Sequence, residues 1–152
     1  MMNNRLTKEE SSKPYAEYFY KASAKIPENI ISKLEEGPLN PNDVLRFEDI
    51  NMLLAPGYLN DEIGYCIMPD GSGFASMLTR MTKVKGKMID WWFIWHPQDH
   101  LRYKIWYPGS HLGINIENIS KLNDNSLPLN KRYLNNLNFP IEDIGQGIEK
   151  LY

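Results

Sequence analysis

The chain has 152 residues, 42% of them hydrophobic and 24% charged, which suits one domain with room for a real core. A net charge of −2 gives no electrostatic reason to expect nucleic acid or an anionic membrane as partner. The single cysteine, Cys66, excludes an intramolecular disulfide and favours a reducing compartment.

The start, "MMNNRLTKEESSK", has no apolar core of the kind a secretory signal needs. No run approaches the ~20 apolar residues of a membrane helix. A cytoplasmic protein is therefore expected. Residues 1–13 are polar and are expected to form a disordered, frayed tail.

Residues 14–60 read as an N-terminal helical segment. Within "YAEYFYKASAKIPENIISKLEE", Pro27 divides the pattern, because an interior proline costs a helix about 3 kcal/mol; it is expected to open a second helix. Ile30, Ile31 and Leu34 then share one face. "GPLNPND" is a loop, and residues 44–60 carry scattered apolar groups with no assignable period.

"EIGYCIM" and "FASMLTR" flank "PDGSG", which predicts a β-hairpin turning at Pro69–Gly73. Cys66 falls on its first arm and is expected in the core. "TKVKGK" reads as a solvated turn. In "KGKMIDWWFIWH", Met88, Trp92 and Trp95 recur at helical spacing and predict a helix. "HLRYKIW" fits helix and strand equally. Residues 117–138 are a polar, Asn-rich excursion of uncertain order. "FPIEDIGQG" has strand character ending in a glycine-rich turn, and "IEKLY" resembles the start of another strand.

The chemistry-bearing residues are few. His96 and His100 lie four apart, a spacing shared by many zinc sites, but a bare pair is common by chance, and one core and one solvated histidine is the default. His111 follows the Pro108-Gly109 break in "YKIWYPGSHLGI", where a turn would present it beside aromatics. Asp90 and Asp99 read first as helix caps, and Arg102 as an ion-pair anchor. Glu142 lies in an apolar setting; facing inward it would need a cation, a metal or a proton, and facing outward, the default, it would be an ordinary strand residue. The residues alone indicate an α+β domain with an aromatic pocket and a candidate His/Glu metal site.

The blocks "GYCIMPDGSGFASMLTRM", "DWWFIWH", "LRYKIWYPGSH" and "EDIGQG", in that order, resemble the 2,4-diacetylphloroglucinol hydrolase family from about Gly64 to Tyr152, with weaker similarity in the N-terminal helices. The resemblance implies a zinc-dependent hydrolase that cleaves a carbon–carbon bond, removing an acetyl group from an acylated phenol or related polyketide. It implies a helix-grip fold, an antiparallel sheet around a long C-terminal helix. Residues 61–152 would be the first part of that catalytic domain. Zn2+ would be held by His111 and Glu142, then by a His-x-x-x-Glu pair on the late helix, and Tyr103 would contact substrate.

Family members are nearly twice as long, and no His follows His111 here. The expectation is therefore a fragment carrying an incomplete helix-grip without its long helix, and inactive alone. The competing reading is a non-catalytic helix-grip module that binds an aromatic small molecule. A homodimer built on the N-terminal helical segment is compatible with the pattern.

Overall fold

The computed structural model describes residues 5–145 and 148–150. Met1–Asn4, the last part of the turn expected at Gly145–Gly147 and the final two residues lie outside them.

In chain order the helices are α1 (Lys8–Ser11), α2 (Glu28–Glu35), α3 (Gly86–Trp95), α4 (His100–Trp106), α5 (Ile119–Leu122) and α6 (Leu129–Tyr133). The strands are β1 (Ile63–Ile67), β2 (Gly73–Met77), β3 (His111–Ile116), β4 (Asn138–Asp143) and β5 (Ile148–Lys150). Short 3₁₀ segments wind at Ala16–Tyr20, Phe47–Leu54 and His96–Gln98. The α+β class is as expected. No helix among the described residues is long and apolar enough to cross a membrane.

The chain divides into two compact units: Ala24–Thr82, and the remainder, up to Ser23 and from Lys83 onward. The division expected between 14–60 and 61–152 falls within Ala24–Thr82.

In Ala24–Thr82, Pro27 immediately precedes α2, which buries Ile30. The hairpin β1–β2 forms at the expected place, with Cys66 opposite Phe74 and buried. Its turn is closed by Met68 N–H donating to Ser72 O at 2.8 Å and Gly71 N–H to Met68 O at 2.9 Å. Gly71 sits at φ 85°, a left-handed position that glycine occupies without strain.

The other unit is built around α4. Asp99 accepts from Leu101 N–H at 2.8 Å, which caps α4 and resolves "HLRYKIW" as helix. Leu101, fully buried, packs with Ala16 and Phe19, flanked by Leu6, Tyr15 and Ile105. Among the described residues, Arg102 anchors no ion pair. It donates to Tyr15 Oη at 3.3 Å and Trp95 O at 3.0 Å, with its guanidinium 4.6 Å from the Trp95 ring. Strands β3, β4 and β5 form one antiparallel sheet in that order.

Two stretches are more ordered than their polarity suggests. Residues 5–13 are not frayed: Thr7 and Glu10 make a reciprocal capping box at the start of α1. Glu10 is then buried against Lys104 of α4, Nζ to Oε1 2.7 Å, and Lys13 and Tyr15 both donate to Asp99. Between β3 and β4, the asparagines organise the excursion. Asn118 caps α5, and buried Asn136 bridges the Asn118 N–H at 3.0 Å and its carbonyl at 2.8 Å. Asp90 accepts from Tyr133 Oη at 2.8 Å, tying α6 to α3.

These buried carboxylates set an acid response. Burial raises Glu10, but the hydrogen bond from Lys104 and the Thr7 N–H together outweigh it and hold the carboxyl below its ordinary value. Asp99 is lowered in the same way, burial being outweighed chiefly by Lys13. A depressed carboxylate contributes stability above its unfolded value and loses it as pH falls through the folded one. Urea unfolding midpoints are therefore expected to hold steady from neutral pH to about pH 5 and to fall below about pH 4. The fall should be shallower in Glu10→Gln.

Candidate active site

The candidate site lies where the end of α4 meets the first pair of β3–β4. α4 stops at Trp106, and the Tyr107 carbonyl accepts from Ser110 N–H at 3.1 Å and His111 N–H at 2.9 Å, so the Pro108-Gly109 turn closes tightly and starts β3 at His111. Ser110 fixes the far side: its hydroxyl donates to Asp143 O at 2.7 Å and its carbonyl accepts from Asp143 N–H at 2.9 Å. The register then sets His111 directly opposite Glu142, with an irregularity between His111 and Gly113 that re-aims the strand end.

Three side chains converge there. Tyr103 Oη hydrogen-bonds to Glu142 Oε1. His111 Nε2 lies 3.6 Å from the same oxygen. The Tyr103 and His111 rings stack with centroids 4.0 Å apart and planes 6° from parallel. Glu142 thus faces inward, against the default for a strand carboxylate, and its partners satisfy it there. Burial, then the hydrogen bond to Glu142 and that carboxylate's charge, raise Tyr103 well above the usual phenol range, so it stays a neutral hydrogen-bond donor.

The orientation of His111 follows from its second contact. Nδ1 lies 3.1 Å from the Tyr103 carbonyl, which can only accept, so Nδ1 carries a proton and Nε2 is the nitrogen that faces Glu142. That is the orientation a metal-ligating histidine needs. Two donors about 2.0–2.2 Å from one tetrahedral ion lie about 3.4 Å apart, so the observed 3.6 Å separation fits a shared metal. Among the described residues, no group of three or more His, Cys, Asp or Glu gathers around one point.

The His96/His100 alternative is not assembled. Pro97 and the 3₁₀ turn separate the two residues onto different elements, so helical spacing does not apply. His96, 3% exposed, donates from Nδ1 to Trp92 O at 2.8 Å, and burial lowers it, keeping it neutral. His100 Nδ1 accepts from Ile114 N–H at 3.0 Å. Asp99 is engaged with Lys13 and Tyr15. His100 instead explains Gly113, where an added Cβ would sit 2.8 Å from its Nδ1. Gly113→Ala is expected to cost about 1–3 kcal/mol of unfolding free energy in urea, from overpacking beside the site.

Aromatic rings surround the three side chains. Trp106 is perpendicular to Trp92, His96, Tyr103 and His111 at centroid distances of 5.4–6.1 Å. Trp95 packs on Tyr15, Arg102, Trp91 and Trp92. Ser110 was not singled out from sequence; its only signal is its place just before His111.

Comparison with known proteins identifies the family. The DAPG hydrolase PhiG domain matches residues 45–152. The chain belongs to this family. It is 32% identical over 143 residues to 2,4-diacetylphloroglucinol hydrolase of Pseudomonas protegens, covering 93% of this chain and 46% of that protein. It is 33% identical over 147 residues to phloretin hydrolase of Eubacterium ramulus, covering 94% and 53%. The chain spans about half the length of the curated relatives it matches. Tyr103, His111 and Glu142 all fall inside the stretch matched to the DAPG hydrolase family.

Proposed function

We propose that the chain carries the first half of a zinc-dependent hydrolase site that removes an acyl group from an acylated phenol by cleaving a carbon–carbon bond. The observation that carries this reading is the convergence of Tyr103, His111 and Glu142 on one point. His111 Nε2 and Glu142 would supply two zinc ligands. The β3–β4–β5 sheet would be the first part of a helix-grip fold whose later helix brings the other two.

The chemistry is consistent with these groups. A C-acyl phenol in its keto form is a β-diketone-like species. Water adds to the acyl carbonyl, the bond to the ring carbon breaks, and that carbon takes a proton, giving a carboxylic acid and the deacylated phenol. A bound zinc supplies Lewis acidity and acidifies water. Tyr103, neutral, would turn its single hydroxyl proton from Glu142 to the oxygen that becomes negative. The stack on His111 fixes the tyrosine ring for that task.

The test is acetate release from 2,4-diacetylphloroglucinol, with zinc, by this chain extended to the family's full length. No release would sink the hydrolase reading. In that protein Tyr103→Phe is expected to lower kcat about a hundredfold while leaving zinc content unchanged, which separates a hydrogen-bond donor from a metal ligand.

A further inference from the structure

We infer that Trp106 is a substrate-contacting residue whose open surface receives the phenolic ring. The ligand class rests on the hydrolase reading above; the surface itself is read from the described residues. Trp106 is in edge contact with four rings of the aromatic cluster, Trp92, His96, Tyr103 and His111. A tryptophan so placed is ordinarily buried, yet Trp106 is 52% exposed.

Its mounting is rigid. It is the last residue of α4, and the next carbonyl closes the turn to His111. A flat, apolar, half-open surface is therefore held 5.4 Å, centroid to centroid, from the ring of a proposed zinc ligand. A planar phenol against the indole would bury apolar area and gain an aromatic pair, while its acyl substituent lies beside His111 and Glu142. Trp91 provides the contrast. It is equally exposed, 51%, but its ring contacts are Trp92 and Trp95, not the site residues.

The test is equilibrium dialysis of the 152-residue chain, without added metal, against 2,4-diacetylphloroglucinol and, separately, phloretin. Trp106→Ala is expected to raise Kd about tenfold or more, Trp106→Phe by less, and Trp91→Ala not at all. Trp106→Phe keeps a ring in the cluster, so it carries the comparison if the alanine variant unfolds. Equal affinity in wild type and both Trp106 variants would overturn the inference, as would no binding by the wild-type chain. His111→Ala separates the two claims. Phenol binding that survives His111→Ala and depends on Trp106 supports this inference even if zinc binding fails. Zinc binding with no Trp106-dependent phenol binding rejects it alone.

Discussion

Purified with zinc and analysed for metal, the 152-residue chain is expected to hold well under one zinc per molecule, and the chain extended to the family's length about one. Two ligands lose most of the affinity that four provide, because each missing donor is replaced by water. His111→Ala in the extended protein is expected to lower zinc affinity by more than about 100-fold, since even outer partners of a metal ligand cost 10–100-fold. Acetyl removal should fall with it. Full zinc occupancy in the short chain would mean that local residues complete the site by themselves, and the half-site account would be wrong. His96→Ala should leave zinc content unchanged, because its Nδ1 is committed to Trp92 and it lies on a different element from His100.

Glu10→Ala is expected to destabilise the fold by about 3–5 kcal/mol in urea, with the paired change Glu10→Leu/Lys104→Met costing far less. The single change leaves Lys104, a buried residue only 9% exposed, without its carboxylate. It also removes the Glu10 half of the capping box, which accepts from Thr7 N–H at 2.8 Å. The double change removes both charges and leaves apolar groups of similar size. Equal costs for single and double variants would show that the orphaned charge is not what destabilises, and that the loss common to both, the Glu10 half of the capping box, is.

How far the sequence reveals this molecule varies by segment. The β1–β2 hairpin was legible because Pro69-Asp70-Gly71 leaves little choice of turn. α3 was legible from the spacing of Met88, Trp92 and Trp95. α4 was ambiguous because "HLRYKIW" has apolar residues compatible with either period; the Asp99 cap and the burial of Leu101 decide it. The order of residues 5–13 was available in principle, since "TKEE" is a capping-box pattern, but its polarity masked it. At the site, residue types alone left Glu142 facing out. Only the β3–β4 register, which no local pattern encodes, turns it toward His111 and Tyr103. The family resemblance supplied those three residues as a set, and the geometry gives a physical reason why they belong together.

The attachment of the N-terminal segment to α4 also has a consequence in time. Glu10 must find Lys104, 94 residues later, and Lys13 must find Asp99, 86 residues later. At ribosomal speeds of about 5–20 residues per second, the segment emerges first and waits roughly 4–20 seconds for its partners. Over that interval Ala24–Thr82 has its own hairpin contacts within reach. The segment is thus made early and placed late, and its contacts with α4, which carries Tyr103 and Trp106, form only when that loop closes.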